Sequence, residues 1–152
     1  MLLETEVFKV IKPVNVGPLV QVAHKLEFVD SKGECAWVTK PGSVAPPELL
    51  SLVNGLHVGG EIKRMFCRRL APHQGIPVHV DDWIPAELAW RRFQLPILSH
   101  PDIVMRWPDD NVELHLAPGF LYEVRFDRLH EVVNPTPFER IHIQLDVVDC
   151  TL

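Results

Sequence analysis

The chain has 152 residues and carries 15 lysines and arginines against 20 aspartates and glutamates, for a formal net charge of −5. Hydrophobic residues make up 47% and charged residues 23% of the chain, a composition that is typical of a packed core and excludes wholesale disorder. Length and composition favour a single domain over residues 1–152. The acidic balance argues against nucleic acid as a partner, because phosphate binding depends on clustered lysine and arginine.

The sequence also disfavours membrane insertion and secretion. No apolar run approaches the roughly 20 residues that span a bilayer. The N-terminus carries Glu4 and Glu6 where a secretory signal carries basic residues. Three cysteines (Cys35, Cys67 and Cys150) are an odd number without metal-ligand spacing, which is typical of reduced thiols. We therefore expect a cytoplasmic protein with no membrane partner.

The N-terminal part of the chain predicts two strands and one short helix. Residues 7–11 and 19–29 are rich in valine and leucine and flank the turn signal Asn15-Val16-Gly17-Pro18, so we expect a strand on each side of that turn. Residues 46–55 predict a helix, because proline stands in its first turn and glycine follows its end.

Prolines shape the remainder of the chain. The sequence holds 14 of them, and their regular spacing after residue 60 leaves room for short strands rather than helices. The predicted strands cover residues 93–98, 103–107, 112–116, 120–126, 129–133 and 141–148. Several alternate apolar and polar residues, which is typical of an antiparallel sandwich or barrel. We expect a mostly β core at 61–148, preceded by a strand and helix extension at 1–60.

Histidines raise the question of a metal site. We expect six of the eight to be ordinary packing or hydrogen-bonded residues: His24, His57, His73, His100, His115 and His142. His79 differs, because residues two apart on a strand share a face and Asp81 can therefore offer an oxygen to the same ion. His130, at the start of a predicted strand, is the best candidate for a third ligand. Two histidines and one carboxylate suit ferrous iron that must also bind a co-substrate and oxygen.

Arg140 is a candidate for binding an anion near that metal. It lies ten residues beyond His130, across a proline-rich turn, so reversal of the chain can bring it back to the same end of the barrel as the metal ligands. A planar guanidinium suits bidentate binding of a carboxylate. The alternative is a surface ion pair of Arg140 with Glu139 or Asp127, which would stabilise little. From the residues alone, both interpretations stay open.

Five sequence elements share their order and spacing with a known family. They are His79-Val80-Asp81, Arg92-Phe93-Gln94-Leu95-Pro96, Pro118-Gly119, His130-Glu131-Val132-Val133-Asn134, and Arg140-Ile141-His142-Ile143 with Asp146. Over roughly residues 60 to 148 this pattern resembles the aspartyl/asparaginyl β-hydroxylase family of Fe(II)- and 2-oxoglutarate-dependent oxygenases. Residues 1–60 show no such resemblance.

The resemblance implies a double-stranded β-helix, a distorted jelly roll of the cupin-like kind. It implies that His79, Asp81 and His130 hold Fe(II) as the catalytic centre. It also implies that Arg140 binds the distal carboxylate of 2-oxoglutarate. Arg92 would then approach the carboxylate and keto end of the co-substrate near the metal.

Gln94 would act beside Arg92, because the two residues share a strand face. The family often has histidine at this position, and glutamine keeps a hydrogen-bond donor but cannot become charged. The implied activity is an O2-dependent hydroxylation of a free amino acid, or of an Asp- or Asn-like side chain in a peptide or protein, with release of succinate and CO2.

Two alternatives from other classes stay open. A cupin-type metal-dependent isomerase or epimerase shares the barrel but needs no co-substrate arginine, so Arg92 and Arg140 count against it. A non-catalytic ligand-binding β-barrel would have a degenerate metal site, and the intact set of His79, Asp81 and His130 counts against that.

Overall fold

The fold is described by a computed structural model, in which residues 2–25, 34–36, 45–81 and 89–149 are described, with the backbone alone for 34–36. Within these residues the chain forms ten strands and two α-helices. In chain order they are β1 (Phe8–Pro13), α1 (Gly17–Lys25), β2 (Glu34–Ala36), α2 (Pro47–Asn54), β3 (Glu61–Leu70), β4 (Ile76–His79), β5 (Trp90–Leu98), β6 (Val104–Trp107), β7 (Val112–Leu114), β8 (Phe120–Val124), β9 (His130–Val133) and β10 (Arg140–Val148). Neither helix is long and apolar enough to cross a membrane.

The strands form two antiparallel sheets. One has six strands in the order β1-β8-β5-β10-β3-β2, and the other has four in the order β4-β9-β6-β7. A buried cluster around Trp107 joins them, with Leu70 and Tyr122 from the first sheet and Met105 and Val132 from the second. Two packed antiparallel sheets confirm the prediction of a mostly β, jelly-roll architecture.

The strands predicted between the prolines are confirmed, as is the strand at the N-terminus, which pairs with β8. The helix predicted over 46–55 is confirmed as α2, with Pro47 in its first turn and Gly55 after its last. Leu49 and Val53, four residues apart, form its buried face.

The strand predicted over 19–29 is wrong for residues 19–25, which lie in helix α1, and residues 26–29 fall outside the described part of the chain. Valines favoured a strand, but Leu19 and Ala23 are four residues apart and both buried, so helical periodicity decides the structure. Asn15 accepts a hydrogen bond from the backbone N–H of Gly17 at 3.1 Å and helps the helix to start.

Apolar and polar side chains alternate along β10 and point to opposite faces of the six-stranded sheet. Ile143 and Leu145 pack into a buried apolar cluster with α1 and α2, on one face of the six-stranded sheet. His142 and Asp146 point to the opposite face, yet they are only 2% and 1% exposed. The polar phase of this strand therefore lies between the two sheets and not in solvent.

Gly75, which precedes β4, gives a test of how closely β4 and β9 must approach. A Cβ at this position would lie 2.5 Å from the carbonyl oxygen of Val132 in β9, whereas a Cβ at Gly55 would meet nothing closer than 3.4 Å. We expect Gly75→Ala to lower the free energy of unfolding by about 1–3 kcal/mol, because the strands must separate. Gly55→Ala should leave it unchanged or raise it by less than about 1 kcal/mol. Denaturant unfolding of both variants checks this, and equal stabilities would contradict it.

Candidate functional site

Strand pairing brings together two histidines that are 51 positions apart in the sequence. In the β4–β9 pair, His79 lies directly opposite His130. Their ring centroids are 4.3 Å apart. Cross-strand neighbours in an antiparallel pair share a face, so both rings project from the four-stranded sheet on the same side.

Asp81 completes a three-residue cluster with these histidines. Its backbone N–H donates to the carbonyl of Phe126 at 3.1 Å, which holds the chain beyond β4. The carboxylate oxygens then lie 3.4 Å from His79 Nε2 and 3.6 Å from His130 Nε2. One potential ligand atom from each residue falls within 4.8 Å of the others.

The hydrogen bonds of the two rings make this cluster suitable for a metal ion. His79 Nδ1 donates to the carbonyl of Pro77 at 2.8 Å, and His130 Nδ1 donates to the carbonyl of Arg128 at 2.7 Å. Burial lowers the pKa of His130, so its ring is neutral near pH 7. In a neutral ring whose Nδ1 donates, Nε2 carries the lone pair, so the two Nε2 atoms and the carboxylate are placed to act together as ligands of a divalent cation. The side chain of His79 is 37% exposed, which leaves the cluster open on that side.

Arg92 lies beside the cluster and holds two carboxylates. It pairs with Asp81 through Nη1 and with Asp146 through Nε, at 2.8 Å from Oδ1. Its guanidinium also stacks on the ring of Phe126. Burial disfavours the charge of Arg92, but the ion pairs with Asp146 and Asp81 outweigh this and raise its pKa. The predicted residue Arg92 is thus next to the metal ligands and already bound to one of them.

Gln94 follows on the same face of β5. Its side-chain amide lies 3.0 Å from that of Gln144, its direct partner on β10, and 3.3 Å from Nδ1 of His142. Each of these three side chains is directed into the space between the sheets.

Arg140 begins β10 and is buried, at 4% exposure. The turn before it is fixed by Asn134, whose amide donates to the carbonyl of Phe138 at 2.9 Å and whose oxygen accepts from Thr136. Among the described residues no carboxylate pairs with Arg140. Burial, together with the nearby Arg68, lowers its pKa to about 9. The alternative of a surface ion pair is thus not what the described residues form.

One cavity joins these groups. It has a volume of about 190 Å³, smaller than the roughly 300–1,000 Å³ of most ligand pockets, so it suits a small molecule. All six residues predicted from the sequence line it: His79, Asp81, Arg92, Gln94, His130 and Arg140. The His/Asp cluster and the buried Arg140 therefore face the same cavity between the two sheets.

Other residues of the cavity were not predicted from the sequence. His142 was expected to be an ordinary packing residue, but it lines the cavity together with Gln144, Arg64 and Arg68. A signal was present, because polar side chains recur at alternate positions on β10 and at facing positions on β3 and β5. Its interpretation needed the second sheet, which turns that face from a surface into a cavity wall.

No protein-family model matches the chain, and no curated protein matches it in sequence. Its fold is similar to that of solved structures at low identity. A viral collagen prolyl hydroxylase from Paramecium bursaria Chlorella virus-1, solved with 2OG, has 11% identity and a TM-score of 0.67 over 96% of this chain and 97% of that one. An oxidoreductase of the 2OG-Fe(II) oxygenase family from Burkholderia pseudomallei has 15% identity and a TM-score of 0.60 over 88% and 77%. A prolyl-4-hydroxylase from Pseudomonas putida has 15% identity and a TM-score of 0.58 over 93% and 92%. These likenesses establish the jelly-roll fold of the chain.

Proposed function

We propose that the protein is an Fe(II)- and 2-oxoglutarate-dependent dioxygenase that hydroxylates an amino acid or an Asp- or Asn-like side chain of a peptide. The observation that carries this proposal is that one cavity is lined both by candidate metal ligands and by a buried arginine. His79, Asp81 and His130 place three potential ligand atoms close enough together to hold one cation, and the buried Arg140, which has no carboxylate partner among the described residues, is placed to bind an anion. A metal ion chelated by a dicarboxylate would engage both groups of residues together.

His79, Asp81 and His130 would hold the metal from one side and leave its other positions open. The iron centre supplies the oxidative chemistry, in which O2 and 2-oxoglutarate give succinate and CO2 and one oxygen atom enters the substrate C–H bond. Protein groups supply position and charge. Arg140 would bind the distal carboxylate, and the apolar side chains of Phe66 and Met105 in the cavity wall would keep bulk water away.

Arg92 and Gln94 remain in the proposed co-substrate site. The contacts of Arg92 with Asp81 place it at the metal end, where a guanidinium both orients the ligand carboxylate and adds positive charge beside a bound anion. Gln94 lies further along the same strand face, between Gln144 and His142. One of its two amide hydrogens stays available for a bound molecule.

The substrate assignment follows from the resemblance to the aspartyl/asparaginyl β-hydroxylases together with the size of the cavity. A space of about 190 Å³ that also holds a five-carbon dicarboxylate leaves room for one side chain and not for a folded partner. Exposure of His79 marks the side from which that group would enter.

The first test is iron and co-substrate binding. Anaerobic addition of Fe(II) and 2-oxoglutarate should produce a weak visible charge-transfer band, and oxygen should then yield succinate, stimulated by the right amino acid or peptide. We expect His130→Ala to abolish the band, because it removes a ligand. His24→Ala, which changes a half-exposed histidine beside Glu139, should keep it. A wild-type protein with neither band nor succinate would contradict the proposal and favour a ligand-binding barrel or an isomerase.

Arg140 is tested by co-substrate affinity. We expect Arg140→Met to keep Fe(II) binding but to weaken 2-oxoglutarate by at least about 30-fold, since losing one partner of a buried charge pair costs about 2–5 kcal/mol. Arg106→Met removes an exposed arginine that pairs with Glu113 and serves as the matched control. Calorimetric titration of both variants checks this, and equal affinities for 2-oxoglutarate would exclude Arg140 from the site.

Arg140 also allows a test of stability without any ligand. A buried cation with no carboxylate partner weakens the fold, so Arg140→Met should raise the free energy of unfolding by about 1–4 kcal/mol. With Fe(II) and 2-oxoglutarate added, wild type should become the more stable of the two proteins, because only wild type gains the full binding energy. Thermal unfolding with and without ligands measures both effects. A strong destabilisation of the ligand-free variant would show instead that Arg140 has a structural partner.

A further inference from the structure

Within the described part of the chain, one ring nitrogen of His142 has a hydrogen-bond partner and the other has none. The residue is 2% exposed and lines the cavity. Nδ1 lies 3.3 Å from Oε1 of the Gln94 side-chain amide, whereas Nε2 is buried and has no hydrogen-bond partner among the described residues. Burying a polar atom without a partner is costly, which points to a ligand as the missing partner.

We propose that His142 is a specificity-determining residue: a neutral imidazole whose Nε2–H donates to the same carboxylate that Arg140 binds. Its tautomer is set by a chain of hydrogen bonds from Arg92 through Gln144 and Gln94. This inference deepens the proposed function and rests on it, because the carboxylate is the distal one of a 2-oxo dicarboxylic acid.

The direction of the chain is decided where it meets Arg92. A side-chain amide can be turned end for end without changing its shape, but an arginine can only donate. With its oxygen turned toward Arg92, Gln144 accepts from Nε at 2.9 Å and from Nη2 at 3.1 Å. In the other orientation its nitrogen faces those two donors, and its acceptors on Asp146 are 3.4 Å away. The shorter contacts favour the oxygen toward Arg92.

This orientation propagates to the imidazole. The nitrogen of Gln144 then lies 3.0 Å from Nε2 of Gln94, its direct partner on β5, and two amide nitrogens cannot bond to each other. The Gln94 amide must therefore be turned as well, so that its oxygen accepts from Gln144. Once it is turned, the nitrogen of Gln94 takes the place of Oε1, 3.3 Å from Nδ1 of His142, and donates to that atom. A neutral imidazole carries one proton, so that proton is on Nε2, which becomes a donor toward the cavity.

Arg140 and His142 together match one carboxylate. They are two residues apart on β10 and share its cavity face. Burial and the charge of Arg140 hold the pKa of His142 well below its usual range, so the imidazole stays neutral. One cation and one neutral donor offer hydrogen bonds to both carboxylate oxygens without burying a second positive charge.

Specificity follows from the groups that a poorer ligand leaves unpaired. A 2-oxo acid with a distal carboxylate engages both Arg140 and His142, whereas 2-oxopentanoate, of the same chain length, carries a methyl group there. Discrimination between the two acids therefore measures the contribution of this end of the cavity, separately from the metal end.

The tautomer is tested on the purified full chain by NMR with 15N-labelled histidine. Two-bond correlations should show the His142 proton on Nε2 in the wild type. In Gln144→Glu, the new carboxylate can only accept, so Gln94 must reverse and Nδ1 must donate to its oxygen. The proton should then move to Nδ1. A wild-type proton on Nδ1, or no change in Gln144→Glu, overturns the chain.

The ligand role is tested by anaerobic calorimetry on the Fe(II)-loaded protein. We expect His142→Leu to weaken 2-oxoglutarate by about 10- to 100-fold and to leave 2-oxopentanoate unchanged, because only the former accepts a charge-assisted hydrogen bond there. His142→Gln keeps a donor near the position of Nε2 and should restore most of the affinity. This second variant also covers a possible folding defect of the first.

The outcomes separate this inference from the proposed function. Equal losses for both acids in His142→Leu, with no rescue by His142→Gln, would overturn the role of His142 while leaving the dioxygenase intact. Failure of wild type to bind 2-oxoglutarate would overturn the proposed function, while the NMR result would still report on the hydrogen-bond chain.

Discussion

The pairing of β4 with β9 is the constraint on which the site depends, because it sets His79 directly opposite His130. Each ring gives its Nδ1 proton to a backbone carbonyl, so the two Nε2 atoms and the carboxylate of Asp81 meet as three acceptors. Such a cluster is stable only beside positive charge. Arg92 supplies part of it from the neighbouring sheet, and the side of the cluster that faces the cavity is left for a metal ion.

Much of the fold follows from local sequence signals. Prolines and period-2 alternation predicted the six strands from β5 to β10 but not β3, and the proline and glycine at the two ends of α2 predicted that helix. The error at residues 19–25 has a physical cause. A valine-rich segment of this length is compatible with both a strand and a helix, so its valines obscured the four-residue spacing of Leu19 and Ala23. The helix buries both residues in the apolar cluster on the six-stranded sheet.

Some residues of the site could likewise be predicted from local sequence signals, and others could not. His79 and Asp81 could be found from a two-residue spacing, and His130 and Arg140 from their positions around a turn. His142 could not, since alternation shows which residues share a face but not whether that face meets water or a second sheet. The four-stranded sheet covers the polar face of β10. Residues that the alternation pattern places on the surface therefore form the wall of a cavity.

Burying the polar side chains of β10 costs stability, and the apolar side chains on the opposite face of the strand offset that cost. Ile141, Ile143, Leu145 and Val147 are almost completely buried, and each contributes about 1.5–3 kcal/mol relative to an exposed side chain. The strand is also central, with β5 and β3 bonded on its two sides, so its side chains are held in place by backbone on both edges. A histidine in place of Gln94 would put a second imidazole against His142. Gln94 instead places an uncharged side-chain amide 3.3 Å from Nδ1 of His142.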